Sequence, residues 1–165
     1  MAISNIAILG IGNLLQRDEG VGVHLINQLE RDYSFSPHIN LIDGGTMGTD
    51  LLPYLEQNDK IIILDAVNFN EPPGFIGVIK NDDILRRLNT KLSIHHLGIT
   101  DVLSSARLLD IEPSEIYLIG IQPKNIEMGT DLTDEIKQKT SKMIEEAIKK
   151  LREWGVNVQL KRTAE

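Results

Sequence analysis

The chain has 165 residues, 41% of them apolar and 25% charged, an ordinary composition for one soluble domain large enough to bury a core. Its net charge of -7 argues against nucleic acid, whose phosphates require clustered Lys and Arg. With no cysteine, a thiol nucleophile, cysteine-held zinc and iron–sulfur clusters are excluded, and a reducing compartment fits.

Asn5 to Leu9 reads as a buried parallel strand, a short apolar run closed by Gly10. It is too short, and lacks the basic head, for a signal peptide or a membrane span, and no other stretch approaches spanning length. A cytoplasmic location is expected. The strand enters a glycine turn, Gly10-Ile11-Gly12-Asn13-Leu14-Leu15-Gln16-Arg17-Asp18-Glu19-Gly20-Val21-Gly22. A helix is predicted from Glu19 to about Tyr33, with Gly22, Leu25, Ile26 and Leu29 at helical spacing and Asp18 in the N-cap place.

Pro37 breaks the chain, and residues 39–42 form a second strand that ends in Asp43-Gly44-Gly45-Thr46. A helix over 49–56 and the run Lys60-Ile61-Ile62-Ile63-Leu64, followed by Asp65, complete a β-α-β-α-β order. That order implies a parallel sheet with right-handed crossovers. A turn at 71–74, a strand at 75–79 and a short helix at 81–88 follow. His95 and His96 then precede a helix over 99–109, and 116–121 is the next strand. Thr133 is placed to cap the longest helix, whose apolar stripe runs from Ile136 through Met143, Ile144, Ala147, Ile148 and Leu151 to Trp154. Gly155 ends it, and 156–160 alternates as a terminal edge strand before a frayed tail. The sum over residues 1–165 is a single α/β domain, a mostly parallel twisted sheet of about five strands with helices on both faces.

Three strands end at an acidic residue or at a glycine turn leading to one: Gly10 with Asp18-Glu19, then Asp43, then Asp65. In a doubly wound sheet these ends lie along one edge, where such sheets hold their ligands. His95 and His96 sit on a connection that can reach the same edge. Glu19, Asp65 and His95 would supply two oxygens and one nitrogen, a set suited to nickel or zinc with coordination positions left open. Each residue also has a plainer role: a carboxylate ending a strand caps the next helix, and a histidine before a helix is commonly structural.

No nucleophile stands out. Ser104-Ser105 fall within a helix, no Gly-x-Ser-x-Gly elbow is present, and no Gly-Lys-Ser/Thr follows the glycines. Gly10-x-Gly12 with Asp43 admits a dinucleotide-binding oxidoreductase. However, Leu15 occupies the third glycine position, and Asp18 and Glu19 put negative charge where a pyrophosphate would bind.

The motifs resemble the hydrogenase maturation endopeptidases. The likeness runs through Gly10 to Gly22, Asp43-Gly44-Gly45-Thr46 with Leu51-Leu52, and Ile62-Ile63-Leu64-Asp65-Ala66. It continues through His95 with Leu97-Gly98 and Asp101-Val102-Leu103, then Gly120-Ile121-Gln122-Pro123. The resemblance implies a hydrolase, formally an aspartic-type peptidase, that trims a C-terminal extension from the nickel-loaded precursor of a nickel–iron hydrogenase large subunit. It implies Glu19, Asp65 and His95 as the residues that meet nickel, and Asp43 as a recognition or catalytic acid. The nickel would be the precursor's own rather than a permanent cofactor, and no nucleotide is expected. His96 departs from the family pattern and leaves the choice of histidine open by one position, although the match favours His95. A non-catalytic metal-sensing maturation chaperone is the remaining alternative.

Overall fold

The computed structural model describes residues 4–88 and 99–162. Its strands are β1 (Ile6–Ile11), β2 (Tyr33–Ser36), β3 (Asn40–Gly45), β4 (Lys60–Ala66), β5 (Ile76–Lys80), β6 (Glu115–Ile121) and β7 (Asn157–Leu160). The main sheet has five strands in the order β3-β1-β4-β6-β5, all parallel except β5, which pairs antiparallel with β6. The helices are α1 (Val21–Asp32), α2 (Leu52–Gln57), α3 (Asp82–Leu88), α4 (Ile99–Leu108), α5 (Asp134–Lys137) and α6 (Thr140–Glu153).

The central strands are apolar throughout because both of their faces are covered. Ile8, Ile62 and Ile119 point to one side and pack with Val21, Leu25 and Leu29 of α1 and Ile144 and Leu151 of α6. Leu9, Ile63 and Leu118 point to the other and meet Leu51, Leu55, Ile99, Val102 and Leu103. The period of two along each strand thus builds two cores. Each fully buried Leu or Ile contributes about 1.5–3 kcal/mol relative to exposure.

Three expectations are corrected. Residues 157–160 do not extend the main sheet; they pair antiparallel with Tyr33–Ser36 in a separate two-stranded sheet. The helix expected from Glu19 begins as a 3-10 turn over Arg17–Gly20 and becomes α-helical at Val21. The long helix expected from Thr133 is broken after Lys137. There the Thr140 hydroxyl donates to the Lys137 carbonyl at 2.9 Å, competing for an acceptor that a continuous helix would use. The terminal glycine behaves as expected: Gly155, at φ 88°, follows Trp154 at the end of α6.

The direction in which successive strands are added reverses between β1 and β4, although the strands themselves are parallel. The connection after β1 leads outward to β3, and the next returns across β1 to β4. This is the topological switch point, and the carboxyl ends of β1 and β4 flank it.

Candidate active site

Two glycines decide how the first helix meets this edge. Gly12 has φ 137°, and a Cβ there would lie 1.8 Å from the Glu19 carbonyl oxygen. A Cβ on Gly22 would lie 2.2 Å from the Leu64 carbonyl oxygen of β4. Neither position accepts a side chain without displacing backbone. The glycines that resemble a phosphate cradle in the sequence therefore serve close packing. They let the 17–20 turn fold back over β1 and press the start of α1 against the end of β4.

That packing carries Glu19 to Asp65. Glu19 is only 7% exposed and Asp65, at the end of β4, 1%. Burial raises the Glu19 pKa from 4.5 to about 7. The Asp65 carboxyl is pushed well above its ordinary range by burial first and by the neighbouring Glu19 charge second, against which the Ala66 backbone N–H gives partial relief. Two carboxylates that disfavour joint ionisation hold a proton or a cation between them. Asp43 is exposed near the end of β3, in register with Gly10 of β1. It shares the edge but not the buried pair. His95 and His96 lie outside the described residues, as does the connection into α4; among the described residues no three acidic or histidine side chains form a metal-binding group.

Asp18 is not the helix cap that its position suggests. It is fully buried and accepts hydrogen bonds from the backbone N–H groups of Lys124, Asn125 and Thr133 at 3.0, 3.0 and 2.8 Å. The Thr133 hydroxyl donates to it as well, at 2.9 Å. These partners are 106 to 115 residues along the chain, so no local pattern could disclose them. The same two loops are joined by Arg17 N–H to the Gly129 carbonyl and Gly129 N–H to the Leu15 carbonyl, both at 2.9 Å. Gln122 performs a similar task one strand over. Its Oε1 accepts the Phe69 N–H at 2.6 Å and its Nε2 donates to Asn68 at 3.3 Å, fixing the segment that leaves Asp65. Burial of the acids and these ties define a preorganised acidic edge. A separate cavity of about 590 Å³, lined in part by Tyr33, His38, Asn40 and Tyr54, lies at the opposite edge.

Residues 23–150 match the family model described as hydrogenase maturation protease. The chain belongs to the hydrogenase maturation protease family. It is 37% identical over 157 residues to the hydrogenase expression/formation protein HupD of Bradyrhizobium diazoefficiens, covering 94% of this chain and 82% of the relative. Hydrogenase 2 maturation protease of Escherichia coli K12 is 34% identical over 152 residues, covering 92% and 93% of the two chains. The solved structure of the E. coli hydrogenase maturating endopeptidase HybD matches with a TM-score of 0.89 at 32% identity, over 95% of this chain and 98% of that one. The family assignment makes the chain a peptidase. It sets aside both the dinucleotide-binding and the non-catalytic readings. The fold agrees with it, and among the described residues no helix is long and apolar enough to cross a membrane.

Proposed function

We propose that the protein removes a C-terminal extension from the nickel-loaded large-subunit precursor of a nickel–iron hydrogenase, and that it senses the nickel through Glu19, Asp65 and His95. The observation that carries this reading is the buried Glu19–Asp65 pair at the switch point. A buried carboxylate pair is costly when empty and favourable once a divalent cation neutralises it. Nickel is here part of the substrate. It arrives on the precursor, and the two carboxylates with one imidazole leave room for the ligands it already has. A precursor without nickel offers the pair nothing to bind, so selection for the loaded form follows from differential affinity.

Peptide hydrolysis then needs an attacking water and a base. Nickel can polarise the scissile carbonyl or acidify a water. Asp43, exposed at the edge, is the residue assigned to take the proton or to position the peptide. Reaction in the cytoplasm, without a nucleotide or a resident metal, completes the reading.

The test is processing of the nickel-loaded precursor by single variants, followed by the size of the product. Glu19→Gln, Asp65→Asn and His95→Ala each abolish cleavage while the fold survives, and Asp43→Asn slows it. Loss of activity in His96→Ala with retention in His95→Ala would move the imidazole assignment by one residue. Full activity in Glu19→Gln or Asp65→Asn would overturn the proposal.

A further inference from the structure

Large apolar side chains left exposed among the described residues are not scattered. Leu14 and Leu15 follow β1, Met47 follows β3, Phe75 precedes β5 beside the end of β6, and Ile126 and Met128 lie on the loop that leaves β6. All six stand at the carboxyl edge of the sheet, on the loops that follow β1, β3 and β6 and just before β5, the edge that also bears Glu19, Asp43 and Asp65. The other exposed ones, Leu108, Leu109 and Leu160, lie toward the opposite edge. Isolated surface apolar residues need no explanation, whereas a group gathered round one polar centre marks an interaction surface.

The loops that bear them are held in place. Gly12 N–H donates to the Gly45 carbonyl at 3.0 Å, which joins the β1 and β3 loops. The Leu15–Gly129 and Arg17–Gly129 bonds, with Asp18 beneath, join the β1 and β6 loops. A rim fixed in advance loses little conformational freedom when it binds. Its charge also narrows the occupant. The enclosed centre is acidic, Asp43 and Glu127 are exposed at the rim, and of its cations Lys124 is paired with Glu135 and Arg17 is half-buried, so an anionic lipid surface is disfavoured.

We infer that Leu14, Leu15, Met47, Phe75, Ile126 and Met128 form a docking ring that seals onto the folded surface of the hydrogenase large-subunit precursor around its metal. The inference rests on the function proposed above. The ring excludes water from the carboxylate–metal contact, as the apolar surround of an interface hot spot does, and attraction between charges grows as water leaves. Leu15 and Met128, 60% and 85% exposed, have the most surface to bury.

The experiment measures the Kd of the full-length protein for nickel-loaded precursor by interferometry, together with kcat for cleavage. Leu15→Asp and Met128→Asp each weaken binding about tenfold, a loss of about 1.4 kcal/mol, with kcat at saturation within about twofold of the parent. Leu108→Asp, the same change at the opposite edge, leaves both unchanged. Circular dichroism checks folding, and if the aspartate variants misfold, Leu15→Ser and Met128→Ser carry the test with an increase in Kd of about threefold or more. Unchanged Kd in the folded variants overturns the ring. So does a parent dimer that Leu15→Asp dissociates without weakening the precursor, since that gives the surface to a second copy. Tight, ring-dependent binding without cleavage would uphold the ring and refute the peptidase assignment of the site.

Discussion

Replacing Glu19 with glutamine should stabilise the protein at alkaline pH and abolish its activity. The folded state raises the Glu19 pKa from 4.5 to about 7 because the carboxyl is buried. The folded form therefore binds this proton more tightly than the unfolded chain does. With respect to this group, stability is greatest below about pH 4.5, falls as pH rises toward 7, and is level above that. A difference between 4.5 and about 7 corresponds to roughly 3 kcal/mol at about 1.4 kcal/mol per pH unit. Asp65 is coupled to Glu19 and shifted in the same direction, so the two share the cost. Glutamine keeps the shape and removes the charge. The expected gain at pH 8 is about 1–3 kcal/mol, which for a domain of this size raises Tm by roughly 3–9 °C. Urea unfolding of parent and variant at several pH values between 4.5 and 8.5 reads it directly. The two curves should converge toward pH 4.5. A variant no more stable than the parent at pH 8, or a gap that does not narrow with acid, would show that Glu19 is not held in a costly ionised state.

Other outcomes follow from the packing around this edge. Asp18→Ala leaves three backbone N–H groups without their buried acceptor and should cost about 3–5 kcal/mol, measured by urea unfolding. Gly22→Ala drives a Cβ onto the Leu64 carbonyl; it should destabilise by about 2 kcal/mol or more and, by moving Glu19, reduce precursor cleavage further than the stability loss explains. Gln122→Ala frees the Asn68–Phe69 segment after Asp65, and a loss of about 1–2 kcal/mol is expected in thermal unfolding. Added nickel should stabilise the parent at pH 8, but not Glu19→Gln with Asp65→Asn, in a thermal-shift titration.

The main sheet was legible because each of its central strands is a short apolar run buried on both faces, and a run such as Ile61-Ile62-Ile63-Leu64 has few other uses. The edge that bears the candidate site was legible for Asp43 and Asp65, which end such runs, whereas Glu19 reaches it only through the glycine turn and the 17–20 turn. What the sequence hid depends on distance along the chain. Asp18 looks like a cap because Thr133 and Asn125 cannot be seen beside it. Tyr33–Ser36 alternates aromatic and serine side chains over only four residues, too short a run to be told from the end of α1 until Asn157–Leu160 supplies its partner. The break before α6 falls at a tightened turn, Lys139 N–H to the Ile136 carbonyl, where the Thr140 hydroxyl takes the Lys137 carbonyl, and the apolar stripe does not record it. The glycine turn is legible in part, since Leu15, Asp18 and Glu19 already turn a phosphate away from it. Its glycines suit a phosphate, yet Gly12 and Gly22 are small so that Glu19 can lie against the end of β4.

The most direct test of nickel sensing compares one precursor in two states. Purified protein is incubated with nickel-loaded and with nickel-free large-subunit precursor, and the mass of the product is followed with time. The loaded precursor should be shortened at its C-terminus and the empty one left intact. Equal cleavage of both would contradict the role given to Glu19, Asp65 and His95.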